Sequence, residues 1–171
     1  KEFVKKKQVD SENKEKEEKL REQEKERRLE QRQLAKERIP VIAKSLLECK
    51  QGSVTVDDIT MELAESGKAN FCYSTSDNYD DVFHIGLGET LCKTDPKLVY
   101  CGLFDQGEKV RVIVYAGEDI SKEKSAGEIV KSISQILGGA GGGSPKFAQG
   151  GGTDKSKKED AIKNAKSMII Q

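Results

Sequence analysis

Apolar residues are sparse at the start of the chain and then arrive in changing rhythms. Residues 11–38 (SENKEKEEKLREQEKERRLEQRQLAKER) hold no glycine or proline, and acids stand four positions before bases at Glu12/Lys16, Glu15/Lys19, Glu17/Arg21 and Glu24/Arg28. That spacing supports a solvated helix. Leu20, Leu29 and Leu34 keep no heptad register, so the pattern does not specify a two-stranded coiled coil. A disordered charged segment is the competing reading. Pro40 either interrupts this helix or opens the next one at its first turn, and Ile39, Val41, Ile42, Leu46 and Leu47 give the following segment an amphipathic face. After Gly52-Ser53, Asp57 is placed to cap a further helix, DDITMELAES, with Ile59, Met61 and Leu63 inward and Gly67 ending it. Residues 1–69 are therefore expected to form a helical arm with a small helical subdomain.

From residue 70 the rhythm alternates between strand and helix. FCYST (71–75) reads as a strand, and Asp80–Lys93 places Val82, Phe83, Leu87 and Leu91 at helical spacing. KLVYCGLF (97–104) and KVRVIVYA (109–116), joined across Asp105-Gln106-Gly107-Glu108, make the clearest β-hairpin. Ser125-x-x-Glu128 is a capping box ahead of Ile129, Val130, Ile133, Ile136 and Leu137, which predicts a helix over 125–137. Ser156-x-x-Glu159 repeats the device before Ala161, Ile162, Ala165, Ile169 and Ile170. The order is β-α-β-β-α, a glycine loop, then α. It defines a globular α/β (α+β) domain over 70–171, a mixed sheet with helices packed on it.

Charge changes how the ends are read. The formal net charge of the whole chain is zero, yet residues 1–38 carry 14 Lys/Arg against 11 Asp/Glu. Residues 138–171 carry six lysines (Lys146, Lys155, Lys157, Lys158, Lys163, Lys166) against three acids. Both ends are basic and the middle is acidic, which aims a polyanion at the ends.

The candidate chemistry is mostly negative. Cys49, Cys72, Cys92 and Cys101 include no C-x-x-C pair and His84 is the single histidine, so neither a zinc cluster nor a histidine relay can be assembled. His84, beside Phe83, reads as a packed histidine. Asp77, Asp80 and Asp81 read as helix caps rather than metal ligands. No catalytic residue, metal or cofactor is predicted. Free thiols among apolar neighbours suit the reducing cytoplasm, and no apolar run approaches the roughly 18 residues of a membrane span. The first residue is Lys1 rather than methionine, which points to a segment of a longer chain.

The most unusual stretch is GGAGGGSPKFAQGGGTD (138–154), with eight glycines in its first fifteen residues. Backbone without Cβ atoms approaches a ligand closely, and successive N–H groups form concave anion sites. A helix start near Ser156 would add donors, and Lys155, Lys157 and Lys158 add charge. A flexible linker is the competing reading, opposed by the punctuation with Pro145, Lys146, Phe147 and Gln149. Neither G-x-x-x-x-G-K-[ST] nor G-x-G-x-x-G is matched, which argues against ATP and NAD.

This stretch resembles the signature of the small C-terminal (C-Ala) domain of alanyl-tRNA synthetases, of the eukaryotic cytoplasmic kind, whose fold is shared with the accessory domain of DHH-family phosphodiesterases. The resemblance rests on Gly138-Gly139, Gly141–Gly143, Pro145, Ala148-Gln149 and Gly151-Gly152, followed by a final helix. It implies a non-catalytic module of an alanine–tRNA ligase that contacts the outer corner of tRNA and links aminoacylation with editing. On that resemblance Gly138, Gly139, Gly141, Gly142, Gly143, Gln149, Gly151 and Gly152 form the tRNA-facing surface. Charge adds Lys146, Lys155, Lys157 and Lys158 to the candidate nucleic-acid-binding residues, and Phe147 either stacks on a base or folds onto its own domain. Ala140 and Ser144 stand where many relatives carry a basic residue, and Gly150 where alanine is commoner, which implies a shallow salt dependence. The alternatives are homodimerisation or protein interaction through the arm, and a general nucleic-acid module that accepts DNA. A DHH nuclease accessory domain is disfavoured, since no Asp-His-His motif is present.

Overall fold

A computed structural model describes residues 1–170. The chain divides into two compact units, residues 1–34 and residues 35–171. The first is helical from Glu2 onward, the leading part of α1 (Glu2–Leu47). Leu20 and Leu29 are exposed, and nine residues at about 100° each place them on opposite faces. No apolar seam runs along it.

Residues 35–47 continue α1 without a break, so Pro40 neither ends the helix nor starts a new one. A mid-helix proline costs about 3 kcal/mol. Here Pro40 is exposed while Ile39, Ile42, Ala43 and Leu46 are buried, at about 1.5–3 kcal/mol for each larger apolar side chain. Burial of that face outweighs the lost backbone bond.

The short helix expected over DDITMELAES is instead the second half of a hairpin. Strands β1 (Ser53–Val56) and β2 (Ile59–Leu63) pair antiparallel, with Val56 opposite Ile59. The two-residue turn between them puts Asp57 at φ 48 and Asp58 at φ 64, as a type I′ turn requires at both central positions. Ile59 and Met61 are buried at period two, a rhythm that the spacing of Ile59 and Leu63 also allows a helix to mimic.

The other elements follow the expected order: β3 (Asn70–Ser74), α2 (Asp81–Thr94), β4 (Leu98–Gln106), β5 (Lys109–Ala116), α3 (Ala126–Ile136) and α4 (Lys158–Ile169). Asp80 caps α2, its carboxylate accepting from the Phe83 N–H at 3.3 Å. Gly107, at φ 62, begins the two-residue turn of the β4–β5 hairpin. The glycine stretch supplies two further strands, β6 (Ala140–Gly143) and β7 (Phe147–Gly152). All join one seven-stranded sheet in the order β1-β2-β3-β4-β5-β7-β6. It is mixed, because β3 and β4 run parallel across α2 while every other neighbouring pair is antiparallel.

Helices cover both faces. Val99, Cys101, Leu103, Val110, Val112 and Val114 pack with α3 and α4 on one side; Leu98, Tyr100, Cys72, Ile59 and Met61 pack with α2 and the end of α1 on the other. Leu98–Phe104 is consequently buried at every position, as a strand covered on both faces must be. The four cysteines are free thiols, Cys72, Cys92 and Cys101 of them buried. Burial is the main reason the Cys92 thiol is pushed up to about 12.

Candidate nucleic-acid interface

Neither capping box forms. Ser125 makes no side-chain cap; instead the Ala126 and Gly127 N–H groups donate to the carbonyls of Pro145 (2.8 Å) and Ser144 (3.2 Å). The first turn of α3 is thus stapled to the β6–β7 turn, which closes on itself through Ser144 N–H to Phe147 O at 2.8 Å and Phe147 N–H to Ser144 Oγ at 3.1 Å. At the other end, Asp154 accepts from the Ser156 N–H at 3.2 Å and its hydroxyl at 2.5 Å. Both Ser156 donors are therefore spent on the chain itself.

The glycine stretch is an ordered edge hairpin and not a loop. β7 pairs with β5, from Val110 opposite Gly152 to Tyr115 opposite Phe147, and β6 lies outside β7. The reason for most of its glycines is close packing. Gly138, at φ 76, ends α3: its N–H donates to Gln135 O at 3.1 Å and that of Gly139 to Ser134 O at 2.8 Å, the Schellman pattern that favours glycine there. A Cβ on Gly141 would lie against Val130 Cγ1 and 2.7 Å from Gly150 Cα; one on Gly143 would lie 2.6 Å from Ala148 Cα. Gly139, Gly150, Gly151 and Gly152 are equally tight against neighbouring strand or helix atoms. Gly142 is the exception, for a Cβ there would meet nothing within 4 Å and its φ is ordinary.

Alternation places Arg111, Gln149, Gly142 and Phe147 on the sheet face away from α3. Phe147 packs on its own domain, its ring 4.6 Å from that of Tyr115 and tilted by 37°. Arg111 donates to the Gln149 and Gln106 side-chain oxygens, the latter at 3.4 Å, and stands 3.7 Å from the Asp81 carboxylate. An open groove of 450 Å³ adjoins them, lined by Gln106, Lys109, Arg111, Gly139, Gly151 and Thr153 among others.

Three of the four predicted lysines are already engaged. Lys146 pairs with Glu118, whose carboxyl this hydrogen bond holds below its usual range. Lys155 donates to Gly107 O at 2.8 Å, and Lys158 lies 2.6 Å from Asp105 and 3.2 Å from Asp77. Burial would lower the Lys158 ammonium, but its bonds to the two carboxylates outweigh that and raise it. Asp77 is therefore a tie between elements, accepting also from the Asp105 N–H at 2.7 Å, and not a helix cap. Lys157 is exposed. Lys146 and Lys155–Lys158 flank opposite ends of β7, so they do not converge on the glycines. Lys109 and Arg111, which the sequence reading passed over, border the groove instead. Their alternation with Val110 and Val112 was the available signal.

His84 is buried, Nδ1 lying 2.6 Å from Tyr100 Oη and the ring 4.8 Å from that of Phe104. Burial pushes it down to about 4, against the opposing pull of Asp81 and Asp77. It contributes to the core. Among the described residues, no three His, Cys, Asp or Glu converge to hold a metal, and no helix is long and apolar enough to cross a membrane.

A seven-stranded mixed sheet with helices on both faces and a glycine hairpin at its edge defines a small α+β domain. Residues 69–171 match the family model of the DHHA1 domain, and the chain belongs to that family. It is similar to an alanine–tRNA ligase of Nitrosopumilus maritimus (strain SCM1), 41% identical over 169 residues, covering 99% of this chain and 18% of that protein. An alanine–tRNA ligase of Cenarchaeum symbiosum (strain A) is 39% identical over 110 residues, 64% of this chain and 12% of its own length. The chain thus spans less than a fifth of these relatives. The crystal structure of the C-Ala domain from Aquifex aeolicus alanyl-tRNA synthetase shares the fold, at TM-score 0.57 and 23% identity over 64% of this chain and 96% of that one. These relatives are archaeal and bacterial, and they give no support to the eukaryotic cytoplasmic origin expected from the sequence.

Proposed function

We propose that this chain is a non-catalytic tRNA-binding module of an alanine–tRNA ligase, set beyond the domains that aminoacylate and edit and holding the outer corner of the tRNA for both. The observation that carries the reading is Gly142. Every other glycine of the hairpin answers a need of the fold; Gly142 has open space where its side chain would be. A glycine in a strand costs about 0.5–1 kcal/mol relative to alanine, so its place on an exposed edge strand fits a surface that another backbone approaches. The edge strand adds outward backbone groups, and similarity over nearly the whole chain to a relative named alanine–tRNA ligase suggests the RNA class.

Gly142→Trp tests this directly, because the site has room for the side chain. The variant keeps the wild-type melting transition and loses at least tenfold in affinity for tRNA. Unchanged affinity in a folded variant refutes the assignment. Equal competition by duplex DNA would replace tRNA with a general nucleic-acid partner.

A further inference from the structure

We infer that Arg111 and Lys109, rather than the lysines beside the glycine motif, grip a phosphodiester of the bound RNA in the groove at the open end of the hairpin. This rests on the tRNA-binding reading and names the cations that serve it.

The first step is elimination by geometry. Lys146, Lys155 and Lys158 each have a carboxylate or carbonyl partner within the domain, and drawing them onto a phosphate would break those ties. Lys157 is exposed but does not line the groove. Lys109 is exposed and, among the described residues, forms no ion pair. Arg111 is held differently: two neutral amides, Gln106 and Gln149, accept from its guanidinium, and its single carboxylate neighbour, Asp81, stands at 3.7 Å. Amide acceptors orient a guanidinium without neutralising it. With five N–H donors in a rigid fork and two of them given to the glutamines, Arg111 has donors left for an anion, which competes with Asp81 for the guanidinium.

The second step is access. Both residues border the 450 Å³ groove, whose lining also includes Cβ-less backbone at Gly139 and Gly151, the latter directly beside Arg111 in the sheet. Side chains there would narrow it, whereas bare backbone lets a phosphate reach the guanidinium. A planar fork beside a neutral wall suits a phosphodiester, which accepts two parallel N–H bonds. The hairpin then serves as the wall of the site, and β5 supplies its charge.

The test is the slope of log affinity for tRNA against log salt concentration, measured on this chain, Arg111→Gln, Lys109→Ala, the double variant and Arg111→Lys. Each neutralised contact removes roughly 0.7–0.9 from the slope. Both single variants are expected to show that loss, the double variant about twice it, and Arg111→Lys a wild-type slope with weaker affinity. Slopes unchanged in the neutral variants, while Gly142→Trp still weakens binding, overturn this inference and leave the tRNA reading standing. If the wild-type chain binds no tRNA, or folded Gly142→Trp binds as wild type, both fail together. Melting curves accompany each variant. Should Arg111→Gln unfold, Lys109→Ala decides alone, since its side chain is exposed and unpaired.

Discussion

Alanine at Gly141 and alanine at Gly142 are adjacent changes that should move stability in opposite directions. On Gly141 the new methyl would lie against Val130 Cγ1, 2.7 Å from Gly150 Cα and 2.9 Å from Gln149 O. The last two are backbone atoms of β7, held by β5 on the far side, so relief requires moving β6 or α3. Val130 is fully buried and has little room to give. Overpacking of this kind costs about 1–3 kcal/mol. On Gly142 the methyl meets nothing, and restricting the unfolded chain stabilises by about 0.4–1 kcal/mol. The two variants should therefore differ by roughly 1.5–4 kcal/mol, summing those two effects. Urea unfolding followed by circular dichroism measures this, with the difference read from midpoints at unchanged slope. If Gly141→Ala unfolds at the wild-type midpoint, the claim that packing against α3 dictates these glycines is wrong, and the stretch is the loose linker that composition alone suggests.

Other outcomes follow from the same structure. His84 has a folded value near 4 against about 6.5 unfolded. The unfolded state thus takes up the proton first, and stability is full above about pH 6.5 and falls as pH drops toward 4. The loss between pH 7 and 5 is about 2 kcal/mol, and His84→Gln should flatten that part of a pH series of urea midpoints. Lys158, only 14% exposed at its side chain between Asp77 and Asp105, should cost about 1–3 kcal/mol when changed to Gln, because two carboxylates are left without their cation. Glu118→Gln, at an exposed pair, should stay within about 0.5 kcal/mol in the same melts. Deleting residues 1–34 should leave the melting temperature of the remaining unit unchanged within about 1–2 °C, a shift worth under about 0.5 kcal/mol. Deleting 1–47 also removes Ile39, Ile42 and Leu46 from the core and should abolish a cooperative transition.

Local chemistry was enough where a segment carries its own instructions. Asp80 three residues ahead of the Phe83 N–H starts α2, Gly107 turns the β4–β5 hairpin, and the apolar spacing from Ile129 to Ile136 makes α3 amphipathic whichever sheet it meets. The i,i+4 charge pattern likewise yields an exposed helix with no seam. The glycine signature carried the family. Other features were set by partners distant in the chain. Ile59, Met61 and Leu63 fit either period, and pairing with β3 selected the strand. Pro40 would end an isolated helix, but the core beneath Ile39 and Ile42 carries α1 through it. The glycines have almost no strand preference of their own, and β5 on one side with α3 on the other turned them into an edge hairpin. Which lysines are tied down and which cations border the groove was invisible in sequence, because the partners of a charge are whatever folding brings beside it, and those distances exist only in three dimensions.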